Sequence, residues 1–282
     1  MRWELFNRVR IKVVGVRELD PQRDAAKYAE QLLSLHPRLF TRLEGGAESV
    51  AARMAARTIA VDHLSEVCAL PEAIEALERS LSVATKSPGE RLVRVAALAY
   101  LVCERDLIRD DLPAGYGLID DCIALRGARL ATPSVAEPDH LHEDLLEIRY
   151  LSVAVPDEVL AATEDALVHA ADLALRASAL PNHVVEAAIR ELVSNPPREF
   201  SAIRTVLPES GSMAPRPATR SEPRELATLA PQGGEPGSSQ PLPSPLTLAP
   251  GELVELDKDA MLFAFPDGTK LRRTHDGALS FE

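Results

Sequence analysis

Apolar residues recur three and four positions apart over most of residues 1–200, and this spacing predicts a mainly α fold built as a multi-helix bundle. Asp20 followed by Pro21 is typical of a helix start, and the helix that follows is predicted to end before Pro37. The same pattern predicts three further helices near the end of this region, over residues 139–153, 156–178 and 182–194.

Two other segments of this region require a choice between structures. The alternating run from Arg8 to Val13 favours a strand or an irregular arm for residues 3–16, because it is rich in β-branched residues. A helix is the alternative for this segment, since one helix face would also collect Trp3, Phe6, Val9, Val13 and Val16. A long amphipathic helix is predicted over residues 50–69, and Pro71 is predicted to open a separate short helix.

The middle of the chain predicts a helical hairpin over residues 91–131. Ser87 followed three residues later by Glu90 is a capping-box pattern, and it predicts a helix that continues to Cys103. An Asp-rich turn follows that helix. Asp120 is predicted to cap the second helix through its side chain, and Asp121 adds favourable charge at the positive end of that helix. The hairpin would therefore carry a carboxylate-rich apex facing water.

The last third of the chain changes character twice. Residues 207–250 hold ten of the 22 prolines and no aromatic residue, which predicts a disordered, protease-accessible linker. Residues 251–282 predict a small β-meander, with tight turns at 267–268 and 276–277. A sheet this small is expected to dock on the helical body, on another copy or on a partner. Its predicted partner-binding residues are Met261, Phe263, Phe265, Leu279 and Phe281.

Composition and charge exclude some classes of function. The net charge of −12 repels phosphate backbones, so no nucleic-acid partner is predicted. Cys68, Cys103 and Cys122 lie far apart and form no metal-binding or redox motif, which favours free thiols in a reducing cytoplasm. The longest uncharged apolar run of the central region, residues 95–103, is much shorter than the roughly 20 residues of a membrane-spanning helix.

The sequence of the hairpin segment also resembles that of a known domain family. The stretch from Ala99 to Pro113, followed by Gly117 to Asp121, resembles the YkvA-like domain, a bacterial family of unresolved biochemical role. That resemblance implies a helical hairpin with an Asp-rich turn, and it names no reaction. The family-motif residues, which would be structural or binding residues, are Tyr100, Asp106, Asp110, Pro113, Gly117, Asp120 and Asp121.

Five carboxylates, those of Asp106, Asp110, Asp111, Asp120 and Asp121, fall within 16 residues, so oxygen ligands for a hard cation are conceivable. Capping and turn formation explain the same residues more simply, and no nucleophile motif is present. We therefore expect no cofactor, no metal and no catalytic residue. The expected function is a non-enzymatic, cytoplasmic protein-binding or regulatory adaptor, with a homo-oligomer possible. Peripheral membrane association and a metal-dependent enzyme using the Asp106–Asp121 cluster are the alternatives.

Overall fold

The computed structural model describes residues 4–81, 87–104, 107–132, 139–199, 201, 203, 205–207, 248, 250–257 and 259–282. In these residues the chain is mainly helical and ends in a small antiparallel sheet, which confirms the predicted fold class. Most of the predicted linker over residues 207–250 lies outside the described residues. The helices are α1 Glu4–Val16, α2 Pro21–Leu35, α3 Val50–Leu81, α4 Pro88–Tyr100, α5 Ile119–Ala131, α6 Asp139–Leu151, α7 Asp157–Ala179 and α8 Asn182–Ser194.

Two of the predicted helix starts are confirmed by their hydrogen bonds. The Asp20 carboxylate accepts from the backbone N–H groups of Gln22 and Arg23 at 2.9 and 2.7 Å, which satisfies two donors at the start of α2. At the start of α4, Ser87 Oγ accepts from the Glu90 N–H at 3.1 Å, and the Glu90 carboxylate accepts from the Ser87 N–H at 2.7 Å. These are the reciprocal bonds of a capping box.

The prediction of a strand or irregular arm over residues 3–16 is wrong, because residues 4–16 form α1. Leu5, Val9, Val13 and Val16 are its buried residues, and they are spaced by four and three. This spacing puts them on one helix face, so packing against the bundle outweighs the β-branched composition. Trp3 lies outside the described residues.

The predicted break at Pro71 is also wrong, because α3, which is 32 residues long, continues through this proline. A proline inside a helix removes one backbone hydrogen bond and crowds the preceding turn. Here the apolar face is buried on both sides of Pro71, at Val67, Leu70, Ile74 and Leu77. This packing holds the two halves in one helix, since tertiary contacts supply most of a helix's stability.

Helix α4 lies at the centre of the bundle. Every residue from Leu92 to Tyr100 is buried, and the helix packs against α5, α7 and α8. Its end at Tyr100 comes before the predicted end at Cys103. Helices α2 and α3 form a second closely packed pair, and α1 contacts α3, α4 and α8. The α4–α5 hairpin is therefore enclosed by other helices rather than projecting from the bundle.

The four strands confirm the predicted β-meander. They are β1 Glu252–Leu256, β2 Ala260–Ala264, β3 Lys270–Thr274 and β4 Leu279–Phe281, and they pair in antiparallel fashion in that order. Gly268 and Gly277 have φ values of 84° and 100°, which only glycine adopts at no steric cost. The predicted turns at these two positions are therefore present.

The sheet docks on the helical body of the same chain. Met261, Phe263 and Phe265 are buried, and the Phe263 ring lies 5.6 Å from the ring of Tyr150 in α6 in an edge-to-face arrangement. These three predicted partner-binding residues thus lie at the contact between the sheet and the helical body, which is one of the docking places expected for the sheet. Leu279 is half-buried, and Phe281 remains 42% exposed.

Phe263→Ala should destabilise the protein by about 3–5 kcal/mol, because it removes a fully buried ring that packs on Tyr150. Phe281→Ala, in the exposed strand of the same sheet, should cost less than about 1 kcal/mol. Urea denaturation of both variants measures the difference. Equal losses would mean that the sheet does not dock on the body through Phe263.

Candidate functional site

The loop between α4 and α5 folds back tightly on itself. Pro113 opens a short 3₁₀ segment, Pro113–Leu118, in which Ala114 and Gly115 have positive φ values of 55° and 74°. A Cβ atom on Gly117 would lie 2.0 Å from the carbonyl oxygen of Arg109, so only glycine allows this approach of backbone to backbone. The motif residues Pro113 and Gly117 therefore shape the loop that precedes the two aspartates of α5.

Asp120 lies in the first turn of α5 and is only 2% exposed. Its Oδ2 atom accepts hydrogen bonds from the Tyr100 hydroxyl at 2.5 Å and from the Ile108 N–H at 3.1 Å. The predicted capping role is wrong, because Leu118 occupies the cap position of α5 and no side chain caps this helix. The carboxylate instead joins the end of α4, the loop and the start of α5.

Asp121 is fully buried and pairs with a residue that the sequence analysis did not single out as functional. Lys12 of α1 places its Nζ atom 2.5 Å from Asp121 Oδ2 and 2.9 Å from Asp110 Oδ1. The same ammonium donates to the carbonyl oxygen of Leu101 at 2.7 Å. A helical interpretation of residues 3–16 would have found Lys12, because it lies three residues after Val9 and four before Val16 on the buried face.

The structure therefore brings together four of the predicted motif residues, Tyr100, Asp110, Asp120 and Asp121, around one lysine. We name these four residues and Lys12 the buried carboxylate cluster. The expectation that the apex faces water is wrong for Asp120 and Asp121. It holds for Asp111, which is 66% exposed and pairs with Arg109. Asp106 lies outside the described residues.

Burial sets the protonation of the cluster. It raises the pKa of Asp120 to about 6, although Tyr100, the Ile108 N–H and Lys12 all lower it. It also raises the pKa of Asp121 well above its usual range, against the lowering effect of Lys12. Burial lowers the pKa of Lys12, but the Asp121 and Asp110 carboxylates outweigh that effect and leave it above its ordinary value. The lysine is therefore firmly charged, whereas the two buried carboxylates hold protons more readily than usual.

Within the described residues no group of three or more His, Cys, Asp or Glu side chains is placed to hold a metal ion. The thiols of Cys103 and Cys122 are buried, and burial raises the pKa of Cys122 well above its usual value, which keeps it protonated. In the part of the chain that the structure describes, no helix is both long and apolar enough to cross a bilayer.

A second buried polar group links the helices to the sheet. Tyr150 donates to Asp62 Oδ2 at 2.8 Å, and Arg273 of β3 lies 2.8 Å from the other oxygen of Asp62. Arg149 donates to Asp267 and, at 2.8 Å, to Thr269 in the turn between β2 and β3. These charged contacts were not predictable from the sequence, because each joins residues of the sheet to distant helices.

The protein belongs by its fold to the mainly α class, with a docked C-terminal sheet. Comparison with known proteins finds no family model, no curated protein and no solved structure that matches the chain. The YkvA-like resemblance of residues 91–131 thus stays a prediction.

Lys12→Met should destabilise the protein by about 3–5 kcal/mol, because it leaves the buried Asp121 carboxylate without its cation. Arg8→Met is the matched control. Arg8 lies one turn earlier in α1, and the side chains of Arg8 and Glu4 are 35% and 45% exposed, so the loss of their ion pair should cost less than about 1 kcal/mol. Urea unfolding at pH 7 measures both variants, and a small cost for Lys12→Met would contradict the assigned ion pair.

Stability should fall as pH rises from about 4 to above 6, through the contribution of Asp120. A carboxyl with a raised pKa binds its proton more tightly in the folded state, so deprotonation in this window favours unfolding. Asp120→Asn removes this contribution. The unfolding free energy of the wild type should therefore decline relative to the variant over this window, by up to about 1.4 kcal/mol per pKa unit. A relative gain by the wild type would show that the folded protein favours the charged form of Asp120.

Proposed function

We propose that this protein is a non-enzymatic, cytoplasmic regulatory adaptor that binds another protein through the exposed end of its docked sheet. The observation that carries the proposal is the 42% exposure of Phe281, an aromatic residue in the last strand. Phe263 and Phe265 of the same sheet are buried. Exposed aromatic side chains are enriched among the residues that dominate protein–protein binding.

The contact site that we propose consists of Phe281, Leu279 and His142. The Phe281 ring lies 6.2 Å from the His142 ring of α6, at an interplanar angle of 74°. Strand β4 pairs with β3 on one side and is the last strand of the sheet in the described residues. An edge strand next to an exposed aromatic ring can accept an extended segment of a partner by strand addition.

The docking of the sheet favours tight binding at this site. Arg149 holds the turn between β2 and β3, and Asp62 holds strand β3. Strand β4 is therefore fixed to the helical body before any partner arrives. A preorganised surface loses less conformational entropy on binding than a mobile one. The predicted recruiter is thus better described as a fixed platform than as a freely moving tail.

A regulatory role for the linker is part of the same proposal. The proline-rich composition of residues 207–250 supports cleavage by proteases in this segment. Cleavage alone would leave the sheet attached, because its apolar face and its ion pairs contact the body directly. A partner that competes for the sheet would then be needed to remove it.

The non-enzymatic part of the proposal is supported by the engagement of the buried carboxylate cluster. Asp121 faces Lys12, and Asp120 accepts from Tyr100 and Ile108 inside the bundle. Catalytic acids and bases must instead reach a substrate within hydrogen-bond distance. The cluster accordingly holds helices together rather than presenting a reactive group in an open cleft.

Phe281→Ser should abolish capture of the partner while leaving the thermal unfolding temperature nearly unchanged, because the ring is exposed. The measurement is a pull-down from the source organism's lysate with tagged full-length protein, followed by mass spectrometry. Val168→Ser is the control, since Val168 of α7 is 49% exposed and lies outside the contact site. Light scattering of the purified protein tests whether the partner is a second copy.

Retention of the same proteins by Phe281→Ser and by the wild type would remove the contact site from the proposal. Capture of no protein by the wild type, combined with a monomeric mass, would contradict the adaptor function itself.

A further inference from the structure

A cleft lies between the N-terminal half of α3 and the sheet. It encloses about 440 Å³, within the range of about 300–1,000 Å³ that is usual for small-molecule sites. Helix α3 supplies one wall, and the turn between β1 and β2 together with the end of β3 supplies the other. The cleft is therefore large enough for a small organic molecule.

Part of the lining of this cleft is apolar. Ala55 and Met261 line it and are buried, whereas Leu256 and Ala260 are half-buried. Met54 lies at the rim and is 66% exposed. A hydrocarbon group bound here would remove these apolar surfaces from water, which favours binding.

The polar part of the cleft centres on Arg273 of β3. Its guanidinium group lies 2.8 Å from Asp62 Oδ1 and donates to the Thr274 carbonyl oxygen at 2.6 Å. These two contacts leave further N–H groups of the guanidinium unused. Among the described residues, no Arg273 nitrogen is both fully buried and without a hydrogen-bond partner, so the unused N–H groups are reached from the cleft. His275, which is exposed and lines the same cleft, adds the N–H donor of its imidazole ring.

The rim of the cleft also carries a carboxylate. Asp257 is exposed and lines the cleft from the turn between β1 and β2. Its Oδ1 atom accepts from the backbone N–H groups of Asp259 and Ala260 at 2.6 and 2.7 Å, and these bonds fix the side chain in the turn. A carboxylate accepts its strongest hydrogen bonds from charged donors, so Asp257 suits an ammonium group.

The mixture of charges distinguishes between kinds of ligand. Asp62 already neutralises Arg273, so a ligand with one negative charge would add to the unbalanced charge of Asp257. A purely cationic or apolar ligand would displace water from the unused N–H groups of Arg273 and offer them no acceptor, which costs free energy. A zwitterion supplies the acceptor and the charged donor together and adds no net charge.

We propose that this cleft binds a free α-amino acid with an apolar side chain. The carboxylate of the amino acid accepts from Arg273 and His275, its ammonium group pairs with Asp257, and its side chain lies against Met54 and Met261. None of the three residues of the Phe281 contact site lines this cleft, so the two proposals stand or fall independently.

The test is calorimetric titration of the full-length protein at pH 7.5 with L-norleucine and three compounds that each lack one of its groups. Hexanoate lacks the ammonium group, pentylamine lacks the carboxylate, and free glycine lacks the side chain. We expect norleucine to bind at least tenfold more tightly than each of the three, because every group contributes to recognition.

Asp257→Asn tests the contact with the ammonium group. Asparagine keeps a side-chain oxygen for the N–H groups of Asp259 and Ala260 but loses the negative charge. The variant should therefore stay folded and bind norleucine at least tenfold more weakly. Unchanged norleucine affinity of the folded variant would contradict the assigned pairing with Asp257.

A second variant tests the place of binding without changing a charge. Thr58→Trp fills the cleft from α3 and should abolish norleucine binding, since Thr58 lines the cleft and its side chain is on the surface. Arg57→Trp is the matched control, because Arg57 is the preceding residue of α3, is exposed and does not line the cleft. Circular dichroism confirms that each variant is folded.

Three further results would overturn the proposal. The first is no binding of norleucine to the wild type up to millimolar concentrations. The second is equal affinity for norleucine and any one of the three comparison compounds, which would mean that the missing group is not recognised. The third is unchanged norleucine binding by folded Thr58→Trp, which would place the amino acid elsewhere on the protein.

Discussion

The ion pair between Lys12 and Asp121 holds α1 against the hairpin of α4 and α5. Asp121 is fully buried and Lys12 is largely so, and a buried charge is tolerated only where an opposite charge and hydrogen bonds replace its water. Lys12 meets this need by also reaching Asp110 and the Leu101 carbonyl. One ammonium group thus fixes the N-terminal helix, the end of α4, the loop and α5 in a single arrangement.

A chain of aromatic contacts connects the helices to the sheet. Tyr28 of α2 hydrogen-bonds to His63 Nδ1 at 2.9 Å, the His63 ring lies 4.8 Å from Tyr150, and Tyr150 contacts Phe263. Burial lowers the pKa of His63 to about 3, so this ring is neutral inside the core. In a chain with only 4% aromatic residues, several of them are concentrated where the sheet meets the bundle. The sheet is for this reason part of the core of the body.

These two buried groups of side chains stabilise the interior of the protein, and they are distinct from the residues exposed on its surface. The carboxylate cluster and the aromatic contacts fix the interior, whereas Phe281 lies outside it and is 42% exposed. Asp120 belongs to this interior, since Tyr100 and Ile108 donate to its Oδ2 atom, while its Oδ1 atom is buried and has no hydrogen-bond partner among the described residues.

The sequence by itself determined the features that depend on neighbouring residues. Helix starts at Asp20 and Ser87, strand alternation around Phe263, and the turns at Gly268 and Gly277 all rest on local hydrogen bonds, spacing or glycine conformation. Only the tertiary structure decided whether residues 4–16 are helical, whether α3 continues through Pro71, and whether Asp120 and Asp121 face water. The physical reason is that burial and charge pairing join residues far apart in sequence; Lys12 and Leu101, for example, are 89 positions apart. A helix-capping side chain finds its backbone N–H partners within one turn of the same helix. A buried carboxylate needs a cation, and only the folded chain brings that cation to it from a distant part of the sequence.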